Sequence, residues 1–179
     1  DNLPKVTLLS GHKGIGKFTL VCHLMNYYFD KNNYDEEKNL IKKDSIFYNK
    51  FIQNLHPNII HLKGSNLKNL KIENIRKLRD DLKMTTINNK KRFIILDDIE
   101  LFNSNSINAL LKVIEEPSEK NYFFLINNQS KKLLETIKSR CLEIKIILNE
   151  KINKEITASL INIFKINLII EKDVIRLSP

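Results

Sequence analysis

Short apolar runs and longer amphipathic stretches alternate along this chain. Lys5 to Ser10 (KVTLLS) is an apolar run ending at a glycine-rich turn, the pattern of a strand buried on both faces. Leu20, Leu24, Tyr27 and Tyr28 then recur at helical spacing between Lys17 and Phe29. Residues 30–55 are polar, rich in Asn, Lys and Asp, and read as an exposed and partly helical excursion closed by His56-Pro57. Ile59 to Leu62 predicts a second strand. Ile72, Ile75, Leu78 and Leu82 mark an amphipathic helix. Arg92 to Leu96 (RFIIL) predicts a third strand, running into Asp97-Asp98. Ser104 to Glu116 is a helix with Ile107, Leu110, Leu111 and Ile114 on one face, stopped by Pro117. Tyr122 to Ile126 (YFFLI) predicts a fourth strand, Leu133 to Lys138 a short helix, and Leu142 to Leu148 a fifth strand. Residues 152–166 follow as a helix, and Ile169 to Leu177 begins another.

Strands that alternate with helices imply an α/β fold, here a parallel five-stranded sheet sandwiched by helices. The 179 residues suit one such domain over residues 1–149. Residues 150–179 are too short to form a domain alone and read as the beginning of a truncated helical lid.

The first turn carries recognisable chemistry. Gly11-His12-Lys13-Gly14-Ile15-Gly16-Lys17-Phe18 fits the phosphate-loop pattern G-x-x-x-x-G-K-[ST] at every fixed position except the last. Glycines let backbone N–H groups curl around a phosphate, and the following helix offers its positive N-terminus. Lys17 is expected to reach the β- and γ-phosphates as a point charge. The eighth position ordinarily gives a hydroxyl to Mg²⁺, and a phenyl ring has no oxygen to give. Thr19 lies one residue on, roughly 100° around the helix, and is not expected to reach the same point. The loop is therefore expected to accept phosphate or nucleotide at most, with no metal site.

The third strand ends in two acids. Asp97 is placed to hold a metal-bound water, as the acid of a Walker B strand does. Asp98 stands where hydrolysing enzymes of this type usually carry Glu. It is one methylene shorter, and a misplacement on the order of 1 Å can lower a rate ~10²-fold. Asn127 and Asn128, after the fourth strand, have amides that can contact phosphate or water.

Asn108-Ala109-Leu110-Leu111-Lys112-Val113-Ile114-Glu115-Glu116-Pro117 resembles the N-A-L-L-K-x-x-E-E-P signature of AAA+ clamp-loader subunits. Thr136-Ile137-Lys138-Ser139-Arg140-Cys141 resembles the T-I-x-S-R-C motif of the same family. The resemblance covers residues 3–148 and points to the delta-prime branch, which combines a degenerate phosphate loop with a retained S-R-C. It implies a P-loop NTPase fold of the AAA+/RecA-like kind. It also implies that Arg140 is an arginine finger, given to the ATP of a neighbouring subunit. Gly11, Gly14, Gly16, Lys17, Phe18 and Thr19 then form a degenerate Walker A, Asp97 and Asp98 a degenerate Walker B, and Asn127 and Asn128 the sensor 1 region, where the family often has Thr. The implied partners are gamma/tau-like and delta-like loader subunits, with the sliding clamp and primer-template DNA met through the assembled complex. Periodicity says only that Leu110, Leu111 and Ile114 are core. Glu115 and Glu116 near a helix C-terminus oppose the macrodipole, which points to a reason beyond local stability.

Bulk composition changes this picture little. At 42% hydrophobic residues the chain can bury a core, and no apolar run approaches the ~18 residues of a membrane span. Cys22 and Cys141 match neither a disulfide framework nor a zinc pattern, which suits a reducing cytoplasm. The net charge of +9 keeps a third reading open, a basic module that binds DNA directly. The first reading is a non-hydrolysing structural subunit that docks in a loader ring and offers Arg140 to a neighbour; the second is an active, gamma/tau-like AAA+ ATPase in which Thr19 or water replaces the missing ligand.

Overall fold

The computed structural model describes residues 3–42, 44–66, 78, 80, 82 and 89–164. Its frame is a five-stranded sheet of β1 (Val6–Ser10), β4 (Ile59–Lys63), β5 (Arg92–Asp97), β6 (Asn121–Asn127) and β7 (Leu142–Lys145). The strand order is β4-β5-β6-β1-β7, and every neighbouring pair is parallel. Every residue of β1, β5 and β6 is buried, which explains why these strands read as continuous apolar runs rather than alternating ones.

Side chains leave the strands alternately to two cores, one on each face. On one face Leu8, Ile94, Leu96, Phe123 and Leu125 pack with Ile107, Leu110 and Ile114 of α3 (Ser104–Glu115) and Ile137 of α4 (Glu135–Lys138). On the other, Leu9, Phe93, Ile95, Phe124 and Ile126 pack with Val21, Cys22 and Met25 of α1 (Lys17–Phe29) and Phe47 and Phe51 of α2 (Ile46–Ile52). Asn103 caps α3 by accepting a hydrogen bond from Ser106 N at 2.8 Å. Leu78 and Leu82, from the expected amphipathic helix, are helical and buried; Ile72 and Ile75 lie outside the described residues. Helix α5 (Glu150–Phe164) follows β7, and the helix expected over Ile169 to Leu177 lies outside the described residues.

Three local readings are corrected. The apolar stripe of α1, Leu20, Leu24, Tyr27 and Tyr28, faces outward, each residue 40–44% exposed. The helix buries Lys17, Val21, Cys22, Met25 and Asn26 instead, because Lys17 must sit beneath the loop that precedes it. Residues 30–55 are more than a polar excursion. They contain a short hairpin, β2 (Tyr34–Asp35) against β3 (Leu40–Ile41), and α2, whose aromatic side chains enter the core. Phe47 stacks between Phe29 and Phe51, His56 meets Phe29 at a tilt and Phe47 edge-on, and Ser45 ties the segment to α1 by donating to Asp30 at 2.8 Å and accepting from Asn26 at 3.1 Å. Strand β7 is also shorter than expected, ending at Lys145, although Ile146 N still donates to Ser10 O at 2.8 Å.

Candidate functional site

The carboxyl ends of β1, β5 and β6 deliver the loop, the acids and the asparagines to one rim of the sheet, where ligands gather in open parallel sheets. A cavity of about 240 Å³ there is lined by Lys13, Gly14, Gly16, Lys17, Phe18, Thr19, Lys63, Asp97, Asp98, Ile126 and Asn128.

Gly14 and Gly16 have φ of 86° and 88°, the left-handed region that lets the loop turn its amides inward before α1 begins. Gly11 is buried, and its N–H donates to Asn127 O at 3.3 Å, tying the loop to β6. Lys17 is 2% exposed and donates to the carbonyls of Gly11 at 2.8 Å and His12 at 2.6 Å. Burial lowers its pKa, against the nearby carboxylates of Glu100, Asp97 and Asp98. Phe18 lies beside the cavity with its ring packed against the aromatic core, its centroid 6.1 Å from that of Phe51. It supplies no oxygen to the cavity. Thr19 is exposed on the next position of the helix. The loop thus suits a phosphate, while the position that should complete a magnesium shell is apolar.

The two acids differ in character. Asp97 is buried, accepts the amide N–H of Asp98 at 2.9 Å and has Lys63 at 3.9 Å. Burial, then the carboxylate of Asp98, raises its pKa above the ordinary value. Asp98 is left-handed at φ 53°, a conformation Asp and Asn tolerate better than most residues. Burial pushes its pKa upward, but hydrogen bonds to Ser65 and Asn128 and the charge of Lys63 outweigh it and leave Asp98 lowered. A Cβ at Gly64 would stand 2.4 Å from the carbonyl oxygen of Asp98, so this neighbour has to be glycine.

Of the two asparagines, Asn128 meets the acids. Its Nδ2 donates to Asp98 Oδ1 at 2.7 Å and to Asp97 Oδ1 at 3.4 Å. Asn127 is buried at the end of β6, and its side chain accepts from Gln129 N at 2.9 Å, away from the cavity. Arg140 lies outside the cavity, just after α4. Its Nε and Nη2 both bond Glu115 Oε1, at 2.7 and 2.6 Å, and its Nη1 donates to Thr136 O at 2.8 Å.

A family model described as DNA polymerase III, delta subunit, matches residues 1–149. The chain belongs to this family of DNA polymerase III clamp-loader subunits, and is delta-prime-like. It is 30% identical over 149 residues to DNA polymerase III subunit gamma of Buchnera aphidicola subsp. Acyrthosiphon pisum, a match covering 82% of this chain and 40% of that protein. To DNA polymerase III subunit delta′ of Bacillus subtilis it is 28% identical over 141 residues, covering 79% of this chain and 41% of that one. The clamp-loader chain described here thus spans about two fifths of the length of these relatives. Among solved structures, a DNA polymerase III gamma subunit-related protein of Thermotoga maritima aligns over 90% of this chain and 49% of its own, with a TM-score of 0.59 and 19% identity. The fold is that of the AAA+ P-loop ATPases.

Sequence reasoning missed Lys63, which lines the cavity 3.9 Å from Asp97, Ser65, which bonds Asp98, and Glu100. Glu100, buried just after the acids, accepts from Asn128 N at 3.2 Å, Ser130 N at 3.3 Å and Ser130 Oγ at 2.7 Å. It thereby fixes the turn that aims Asn128 at Asp97 and Asp98. The signal was a third acid in the run Asp97-Asp98-Ile99-Glu100, which reads as an ordinary polar turn until β6 is placed beside it.

Proposed function

We propose that this domain acts as a delta-prime-like stator in a clamp loader, holding its place in the assembly without hydrolysing ATP and presenting Arg140 to ATP bound by a neighbouring subunit. The observation that carries the reading is Phe18, a partly buried aromatic ring packed against the core at the position where Mg²⁺ needs a hydroxyl. Arg140 supports it from the other side, since it stands outside this domain's own phosphate cavity and is partly exposed. An arginine supplied in trans can contribute ~10³–10⁵ to phosphoryl transfer. Gamma/tau-like and delta-like subunits are the partners this role requires, and the sliding clamp and primer-template DNA are met through the assembly. Phosphate or metal-free nucleotide can still rest on the amides of the loop.

A second reading, an active gamma-like ATPase, draws on the match to a gamma subunit and on the intact turn at Gly14 and Gly16. ATP titration with and without Mg²⁺, together with phosphate release by the chain alone, separates the two. The stator reading expects no magnesium-dependent gain in affinity and no turnover. Steady phosphate release from the lone chain overturns it in favour of the second.

A further inference from the structure

We infer that Glu115 is a latch on Arg140: its carboxylate holds the guanidinium edge that a neighbour's phosphate needs, and must release it before Arg140 can act in trans. The inference rests on the arginine-finger reading and adds a regulator to it.

The geometry is specific about which edge is held. Nε and Nη2 lie along one side of the guanidinium, and both donate to Glu115 Oε1, at 2.7 and 2.6 Å. That side is the fork with which arginine grips carboxylate or phosphate through two parallel N–H bonds. The remaining nitrogen, Nη1, is held within the arginine's own segment, by Thr136 O at 2.8 Å and Ser139 Oγ at 3.4 Å. Removing Glu115 therefore frees the gripping edge and leaves the other end of the side chain tethered. A phosphate on a neighbouring subunit and the carboxylate of Glu115 compete for the same two N–H groups.

The position of Glu115 argues against an incidental pair. It is the last residue of α3, where a carboxylate meets the negative end of the helix dipole, and Glu116 follows it. Local helix energetics disfavour an acid there, and Arg140, 25 residues along the chain, supplies the compensation. The pair is also releasable. Its side chains are 35% and 44% exposed, and ion pairs with that much water around them are weak. A phosphate carries more charge and more acceptor oxygens than the carboxylate it would displace.

The test uses the full-length protein in its assembled loader, with ATP turnover measured in the absence of clamp and DNA. Glu115→Gln should raise turnover and lower KM for ATP by roughly two- to five-fold, the range that releasing one exposed ion pair allows. Glu115→Asp should fall between this variant and wild type. Raising salt should narrow the gap between Glu115→Gln and wild type, because an exposed pair is screened. The double variant Glu115→Gln/Arg140→Ala should behave as Arg140→Ala alone. If Arg140→Ala lowers turnover while Glu115→Gln leaves it unchanged or lowers it, the latch is wrong and the arginine finger stands. Raised turnover in the double variant also overturns the latch, because Glu115 would then act elsewhere. If Arg140→Ala itself has no effect on the complex, the finger reading falls and the latch falls with it.

Discussion

The ring of Phe18 stacks on the imidazole of His61, with centroids 4.7 Å apart and planes inclined by only 19°. His61 belongs to β4 and pairs in register with Ile95 of β5, the strand that ends in Asp97. One ring contact therefore joins the phosphate loop to β4, the neighbour of the strand that ends in Asp97. It also explains how the chain tolerates an aromatic residue at a position where related motifs place a small hydroxyl. Phe18 belongs to the packing and is no mere absence of oxygen.

Replacing that ring should exchange stability for chemistry. Phe18→Thr is expected to lower folding stability by about 2 kcal/mol, less than the loss for a fully buried phenyl because Phe18 is only partly buried. It should raise magnesium-dependent affinity for ATP at least ~10-fold if the hydroxyl is the main missing ligand. Denaturant unfolding and ATP titration with and without Mg²⁺ measure the two effects. Affinity that stays insensitive to magnesium would place the defect in the acids instead.

Asp97 and Asp98 should respond to neutralisation with opposite signs. The folded state raises the pKa of Asp97, so it binds the proton more tightly than the unfolded chain does. Its contribution to stability therefore falls as pH rises from the ordinary carboxylate value through the raised one. Asp98 is lowered, so its stabilisation is present above the ordinary value and is lost as pH falls. At about pH 7, Asp97→Asn should raise Tm and Asp98→Asn should lower it, since Asn also accepts a left-handed backbone. Shifts of the same sign in both variants would contradict these environments.

Glu100 offers a measure of the turn behind Asn128. Glu100→Ala should destabilise the domain by about 3 kcal/mol, because it strands donors that were paired to a buried carboxylate. Glu100→Gln keeps an acceptor oxygen and should lose only about 1 kcal/mol. Chemical denaturation of the two variants checks the ranking, and equal losses would show that volume rather than hydrogen bonding matters at this position.

Mild acid should loosen the domain through two histidines. Burial, then Lys50 and Lys90, lowers the pKa of His56, and burial, then Lys63, lowers that of His61. Both are held neutral in the fold, so their contribution is complete above the ordinary value of 6.5 and is lost as pH falls through the lowered one. Tm should drop as pH falls below about 6.5, and His56→Phe, which keeps a ring against Phe29 and Phe47, should drop less. Calorimetric scans across that range decide it.

Much of the frame was legible because each central strand is buried on both faces and so advertises itself as an apolar run. Leu8, Ile94, Leu96 and Phe124 could be assigned to a sheet before any contact was known. The helices were less complete. Periodicity found a stripe on α1, but a stripe does not say which side meets the sheet. The buried side includes Asn26, a polar residue accommodated by its bond to Ser45, nineteen positions away. Phe47 and Phe51 were hidden in an Asn- and Lys-rich stretch, and their role appears only once α2 is laid against α1 and β5. The loop and the acids were found from local spacing. The choice of Asn128 over Asn127, the part played by Glu100 and the pairing of Glu115 with Arg140 were not, because each depends on segments 25 or more residues apart.

The left-handed turn at Asp98 limits what a longer acid at this position can do. The direction in which its side chain leaves the main chain is set by φ 53°, with the carbonyl pressed close to Gly64. Lengthening the acid to Glu would add reach without re-aiming it, and a longer side chain accepts that backbone less readily. A Glu at this position would therefore meet the cavity at a new point only if the peptide path itself were redrawn.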